Sequence, residues 1–392
     1  MSSDAILTLN AGSSTMKFAL FEAGGARRRT AGGAVEKIGG APHLSVRDAA
    51  GKTVLEKNWP DGAELSHEDL LTPVLDWVAQ NLGDARLVAA GHRIVHGGAD
   101  FAAPVRLDAA VLGELAKLNP LAPLQEPHNL AAVAAIMAIR PKLTQIGCFD
   151  TGFHHKMPAV STRLPLPRTL HEQGIRRYGF HGLSYESIAA TFARLEPRRA
   201  AGRVVALHLG SGASACAMLA GKSIDSSMGF TALDGLIMGT RCGAIDPGVV
   251  LYLMQIRGMT AAEIYDLLYK KSGLLGLSAL SSDMRVLLAS RTEAASEAVE
   301  SFILAAAKYT AALITSLGGL DALIFTAGIG EHAPEIRAGI CARLQWLGLR
   351  IDAAANAADS LVISEQTSAV QVYVIPTDEE KMIAQHCRTL LA

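Results

Sequence analysis

Two stretches decide the architecture. Leu7-Thr8-Leu9-Asn10-Ala11-Gly12-Ser13-Ser14-Thr15-Met16-Lys17-Phe18-Ala19-Leu20 runs from one β-type segment, through a turn of small residues, into another. Half a chain later, Ala206-Leu207-His208-Leu209-Gly210-Ser211-Gly212-Ala213-Ser214-Ala215-Cys216-Ala217-Met218-Leu219 repeats the design. Each then meets a glycine turn, Gly24-Gly25 in the first and Gly221-Lys222 in the second. Short apolar runs bounded by small turn residues are what a hairpin requires. One hairpin used twice implies a duplicated domain with a cleft between the copies. Gly/Ser hairpins are common, so two unrelated hairpins remain the alternative at this point.

Working outward, β-type runs alternate with helical periodicity, the pattern of an α/β architecture. Strands are expected at 5–9, 17–21, 204–209, 323–326 and 370–375. Helices are expected at 70–81, 129–138, 184–195, 261–268 and 294–317. A further helix after Pro334 places Ile336, Ile340, Leu344 and Leu347 on one stripe. The 392 residues suffice for two or three domains and for a large core without disulfides.

The 36 Lys+Arg against 37 Asp+Glu leave a net charge of −1. That balance argues against a nucleic-acid or membrane-surface partner, which would call for a basic excess. Met1-Ser2-Ser3-Asp4 carries no basic region, so no secretory signal is expected. The apolar run 130–139 is about half a membrane span and is stopped by Arg140-Pro141. It reads as a buried helix. Cys148, Cys216, Cys242, Cys341 and Cys387 stand singly, which fits a reducing cytoplasm. A soluble cytoplasmic protein is expected.

Two familiar nucleotide motifs fail. Gly221-Lys222-Ser223 has the tail of a P-loop, but Cys216 stands where its first glycine belongs; Gly51-Lys52-Thr53 fails likewise, with Val46 there. Gly210-Ser211-Gly212-Ala213-Ser214-Ala215 matches a dinucleotide fingerprint, which requires a helix to follow. The small residues lead instead to the Gly221-Lys222 turn, so a second strand fits better. Such a hairpin can still cradle phosphate with backbone amides and hydroxyls. Phe325-Thr326-Ala327-Gly328-Ile329-Gly330-Glu331 reads as a third glycine loop, feeding the Pro334 helix. A glycine turn at a helix N-terminus suits a nucleotide.

Four polar clusters are framed by glycine: Gly91-His92-Arg93-Ile94-Val95-His96-Gly97-Gly98, Cys148-Phe149-Asp150-Thr151-Gly152-Phe153-His154-His155, Arg176-Arg177-Tyr178-Gly179-Phe180-His181-Gly182 and Gly235-Leu236-Ile237-Met238-Gly239-Thr240-Arg241-Cys242-Gly243. With Asn10-Ala11-Gly12-Ser13-Ser14, Lys17 and Ala-Gly-Ile-Gly-Glu, these segments resemble the acetate kinase family in the same order, from Leu7 to Ile375-Pro376-Thr377-Asp378-Glu379-Glu380. The resemblance implies two duplicated actin-like ATPase (ribonuclease H-like) α/β domains with a nucleotide cleft between them. The expected division is 1–150 and 151–381, with a C-terminal helix 382–392 packing back on the first domain. It implies reversible, direct in-line phosphoryl transfer from ATP to acetate, giving acetyl phosphate and ADP. Mg²⁺ is the expected cofactor, with Mn²⁺ as a substitute, and a homodimer is the expected assembly. Propionate kinase, or a broader short-chain acyl kinase, is the alternative on the same scaffold. An ATP-switched binding protein is the remote one.

Residue by residue, the resemblance implies Arg93, Asp150, His181 and Arg241 as catalytic. Arg93, Val95, Leu124, Phe180, Ala232 and Arg241 would hold the acyl substrate. Lys17 would reach the ATP phosphates, and His208, Leu209, Gly210, Ser211 and Gly212 would cradle them. Asp283, Met284 and Arg285 would meet the adenosine, with Gly328, Ile329, Gly330, Glu331 and His332 beneath it. Asn10 and Glu379 would hold the metal or its waters, with Glu380 as the alternative if the register slips. Chemistry agrees: two anionic reactants need fixed cations, and guanidinium forks suit carboxylate and phosphoryl oxygens. A carboxylate nucleophile is already ionised, so an orienting role is expected for Asp150. Cys242 beside Arg241 is read as a packing residue. Departures from the family are Gln125 where histidine is common, Ser211 and His332 where asparagine is common, Thr15 for serine, and Ala232 for proline.

Overall fold

The computed structural model describes residues 4–12, 14–24 and 28–392. Ser13 and Gly25 of the quoted turns lie outside the described residues. The chain divides into two compact units, Met1–His155 with Asp378–Ala392, and Lys156–Thr377. The first unit thus runs past residue 150: the Thr151 hydroxyl accepts the Gly97 amide at 2.9 Å and ties the segment after Asp150 to it. The C-terminal helix begins earlier than residue 382, at Glu379, where the Asp378 carboxylate caps the Lys381 amide.

The first unit holds an eight-stranded sheet of β1 (Ala5–Ala11), β2 (Thr15–Glu22), β3 (Arg29–Glu36), β4 (His43–Asp48), β5 (Thr53–Asn58), β6 (Leu87–Ile94), β7 (Val105–Arg106) and β8 (Thr144–Phe149), in the order 5-4-3-2-1-6-8-7. β1 pairs antiparallel with β2, setting Asn10 opposite Lys17. β6 lies parallel to β1, and β8 parallel to β6. Side chains alternate across a strand. Phe18 and Leu20 therefore join a core with Leu71, Val74 and Val78 of helix His67–Asn81 and Ala132 and Ile136 of helix Glu126–Ile139. Ala19 and Phe21 face Ala384 of helix Glu379–Leu391 instead. Gly91 allows that helix its close approach: a Cβ there would stand 2.5 Å from Cys387 Sγ.

The second unit holds β9 (Arg203–Leu209), β10 (Ala213–Leu219), β11 (Lys222–Ser226), β12 (Ala322–Thr326) and β13 (Gln371–Val374), in the order 11-10-9-12-13. Its meander of antiparallel strands followed by two parallel ones repeats the 3-2-1-6-8 stretch of the first sheet. The duplicated hairpin is thus the start of a duplicated sheet. β10 follows the Gly210 turn directly, which removes the dinucleotide reading. Helix Glu293–Leu317 is long and apolar enough to cross a membrane by length and composition. It buries Ala298, Phe302, Ala306 and Leu313 within the unit and is a core helix.

Two expectations are corrected. The 325–331 stretch is not an open loop: residues Ala327–His332 form a short helix. Its turn is closed by the Glu331 carboxylate, which accepts the Ala327 amide at 2.8 Å. The next helix, Pro334–Arg343, stops before the end of the predicted stripe. Leu344 stays buried, while Leu347 falls in a separate 3-10 turn, Gln345–Leu347, and is half-buried.

Candidate active site

In the first unit, the ends of β1, β6 and β8 converge with the start of helix Glu379–Leu391. Ligands of open α/β sheets bind beyond the carboxyl ends of their strands, and these are such ends. Arg93 is the hub. Its Nη2 reaches Asp150 Oδ2 at 2.6 Å, its Nε the same oxygen at 3.0 Å, and its Nη1 Glu379 Oε2 at 3.2 Å. Nη1 also donates to Asn10 Oδ1 at 3.3 Å, and Asn10 Nδ2 donates to Glu379 Oε2 at 3.2 Å. Burial works against the Arg93 charge, but the Asp150 and Glu379 carboxylates outweigh it and hold the guanidinium above its usual pKa. Burial pushes the Glu379 carboxyl up, with Arg93 opposing the rise and Asp150 adding to it.

Glu379, and not Glu380, is the glutamate that reaches Asn10 and Arg93. No cluster of three or more His, Cys, Asp or Glu that could hold a metal occurs among the described residues. An amide oxygen from Asn10 and one carboxylate from Glu379 nonetheless fit Mg²⁺, which keeps several waters and takes phosphate oxygens as further ligands. Lys17 stands exposed across the hairpin from Asn10. Val95 is buried just past β6, and Leu124 is half-buried ahead of helix Glu126–Ile139.

In the second unit, His181 precedes helix Gly182–Leu195 in a left-handed conformation (φ 57°), costly for a residue with a Cβ. Its Nδ1 lies 2.8 Å from Ser214 Oγ, and its ring stacks on His208 with centroids 4.1 Å apart. Tyr185 Oη shares Ser214 Oγ, and His208 Nδ1 lies 2.8 Å from Ser184 Oγ. The turn between β9 and β10 is closed by the Gly210 amide on the Gly212 carbonyl at 3.0 Å. A Cβ on Gly212 would stand 2.5 Å from Arg241 Nη2 and 3.3 Å from His181 Nε2. The absence of a side chain at 212 is therefore what lets both polar groups lie over the hairpin turn. Arg241 Nη1 donates to the Ala232 carbonyl, so Ala232 contributes a backbone anchor as well as a small buried side chain. Phe180 is buried beside His181 in sequence.

A cavity of about 480 Å³ brings together Gly210, Ser211, Asp283, Met284, Arg285, Gly328, Ile329 and His332, from three distant parts of the chain. Arg285 and Asp283 form an ion pair of 2.6 Å at its edge. Gly330 and Glu331 do not line it, and Leu209 points into the core. The Glu331 carboxylate is used within the unit, on the amides of Ala327 and Thr377. Burial pushes the Cys242 thiol up, the opposite of an activated thiolate, consistent with its packing role.

Few of the residues behind these groups carry a sequence signal. Arg337 is fully buried and donates to the carbonyls of Gly330 and Glu331 and to Asn356 Oδ1, at 2.9, 2.8 and 2.8 Å. Ser214 Oγ meets His181 Nδ1, and Tyr185 Oη in turn meets Ser214 Oγ. Tyr185 alone was open to reading, one helical turn beyond the histidine.

The family model described as the acetokinase family matches residues 5–385. An acetate kinase of Rhodopseudomonas palustris is 51% identical over 98% of each chain. One from Methylocella silvestris is 48% identical over 98% of each. Among solved structures, a propionate kinase from Francisella tularensis superposes with a TM-score of 0.91 at 36% identity, over 98% of both chains. Porphyromonas gingivalis acetate kinase superposes with 0.86 at 36% identity, over the whole of both. These likenesses run the length of the chain and include the strand ends and glycine turns just described, so the chain belongs to the acetokinase family.

Proposed function

We propose that the chain is an acetate kinase whose two polar clusters divide the work of one phosphoryl transfer. An acetate oxygen attacks the γ-phosphorus of ATP in line, the bond to the bridging oxygen breaks, and ADP leaves with its electron pair. No proton has to be removed, because acetate is already a carboxylate. The catalytic demand is therefore positioning and charge neutralisation.

Arg93 would take the substrate carboxylate, held at one angle by Asp150. The grip of Asp150 on two guanidinium nitrogens supports an orienting role and is the observation that carries this assignment. Arg241 and His181 would meet the charge that develops on the moving phosphoryl group. Gly210, Ser211 and Gly212 would lie under the ATP phosphates, and Lys17 would add a cation to them. Asp283, Met284, Arg285, Gly328, Ile329 and His332 line a cavity suited to the nucleoside. Asn10 and Glu379 would hold Mg²⁺, which neutralises the β- and γ-phosphate charge when bound.

The acyl wall would be Val95, Leu124, Phe180 and Ala232. With alanine at 232, propionate is expected to be turned over as well; one methylene in such a pocket is worth about 1–3 kcal/mol. The reaction belongs in the cytoplasm, in keeping with five free cysteines. The protein would act as a homodimer, for which the exposed Val249, Leu251, Tyr252 and Met254 of helix Pro247–Gln255 offer apolar surface. Trapping acyl phosphate as hydroxamate, with ATP and acetate, propionate or butyrate, tests the reading. Acetate should give the fastest ATP-dependent product. No product with any acid would leave an ATP-switched binding protein, and no product with propionate alone would remove the tolerance at Ala232.

A further inference from the structure

Four consecutive backbone amides just beyond β6 donate to side chains. Val95 N–H goes to Asn129 Oδ1 at 3.0 Å, His96 N–H to Glu126 Oε2 at 3.0 Å, Gly97 N–H to Thr151 Oγ1 at 2.9 Å, and Gly98 N–H to His96 Nδ1 at 2.9 Å. This segment continues the strand that carries Arg93 and supplies Val95. Its shape is therefore set by side chains and not by a sheet ladder. Two of the four ties come from one edge of helix Glu126–Ile139, a turn apart. Asn129 also donates through Nδ2 to the carbonyl of Ala11, next to Asn10.

Glu126 is fully buried, and its Oε1 has no hydrogen-bond partner among the described residues. A buried polar atom of this kind calls for an explanation. Arg93, the cation of this region, is engaged by Asp150 and Glu379. Burial pushes the Glu126 carboxyl up to about 8, the nearby Asp150 carboxylate adds to the rise, and the Val95 and His96 amides oppose it. Asp150, just beyond β8, is the charged group that acts on it; His96 on the facing segment, His128 on its own helix and His67, whose ring meets His128 from helix His67–Asn81, are the nearby titratable groups.

We infer that Glu126 is a positioning residue for the acyl-binding wall: through the His96 amide, and together with Asn129, it sets where Val95 stands relative to Arg93. The inference rests on the acyl kinase reading for its functional consequence. While it holds its proton, Glu126 adds no charge beside Asp150. Once ionised, it sets a second buried carboxylate beside Asp150, and the added negative charge repels the carboxylate substrate at Arg93. The effect falls on binding of the carboxylate substrate and spares ATP.

The test uses the full-length protein and three variants. In the wild type, KM for acetate should rise above about pH 8, with kcat and KM for ATP unchanged. Glu126→Gln keeps an oxygen for the His96 amide and cannot ionise, so its KM for acetate should stay flat across that range. Glu126→Ala should raise KM for acetate by roughly tenfold, the worth of one buried hydrogen bond. Asn129→Ala should do the same. Amide hydrogen exchange at 95–98 should quicken in Glu126→Ala and stay slow in Glu126→Gln. The same alkaline rise in Glu126→Gln would overturn the inference, as would unchanged exchange at 95–98 in Glu126→Ala. A wild type that forms no acyl phosphate would sink the acetate kinase reading, while exchange at 95–98 would still decide whether Glu126 holds that segment.

Discussion

The two units present cationic side chains near their glycine-rich turns, but they hold them by different means. In the first, Arg93 is gripped by two carboxylates and an amide oxygen, so its charge is balanced and its angle fixed before any substrate arrives. In the second, Arg241 is anchored on the Ala232 carbonyl and leans over a residue with no side chain. One cation is set by electrostatics and the other by space. Phosphoryl transfer calls for both a fixed ligand for the ground-state carboxylate and a preorganised donor for charge that appears only in the transition state.

The two arginines are therefore expected to fail differently. Arg241→Ala should lower kcat by about 10³-fold, the scale of a lost transition-state contact, while KM for ATP moves only a few-fold. Turnover that survives within a few-fold would erase the distinction. Asp150→Asn keeps the shape around Arg93 and removes the charge that orients it. Steady-state kinetics should show a loss of about 10²-fold in kcat/KM for acetate, smaller than for Arg241 because Glu379 and Asn10 still hold the guanidinium.

Gly212→Ala probes the spatial side alone. The added methyl meets the end of the Arg241 side chain first and the His181 ring next, so Arg241 is displaced, His181 is crowded and the fold is expected to stay intact. The expected result is a fall in kcat of about tenfold, with Tm within about 2 °C of the wild type. A large drop in Tm would mean that Gly212 serves the hairpin and not the arginine.

How much of this could be read beforehand differs between the same regions. The hairpins at Asn10 and Gly210 were legible because their strands and turns are local. Arg93, Asp150, His181 and Arg241 were legible as glycine-framed polar residues whose roles came from resemblance. β3 was not, since Arg29-Thr30-Ala31-Gly32-Gly33-Ala34-Val35-Glu36 lacks a strand-like composition. It forms a strand because Gly33 passes close to β4, where a Cβ would stand 2.1 Å from the Ser45 carbonyl. Glu126 reads as an ordinary first-turn acid, and only the segment beyond β6, whose His96 amide it accepts, shows that it is drawn inside. Arg337 reads as a surface charge between Ile336 and Ile340, and the carbonyls of Gly330 and Glu331 and the distant Asn356 draw it inside. Each of these depends on partners outside its own helix or strand.

The smallest expected effect belongs to Gln125, where the family commonly has histidine. Gln125 sits at the N-cap of helix Glu126–Ile139 and makes no side-chain cap bond, so the helix does not depend on it. Gln125→His therefore removes nothing structural and adds a titratable group. That group would stand at the positive end of a helix, which disfavours its charged form by about 0.3–1 kcal/mol. The new cation is thus present mainly at lower pH, and any help to the phosphoryl charge should stay within about fivefold. Comparing kcat with acetate between pH 6 and 8 separates the outcomes. A gain confined to the acidic end fits a weak added cation on the pre-set side of the site. A loss beyond tenfold would show that the Gln125 amide is itself part of the array around Arg93, and the first unit would then be held by more than its carboxylates.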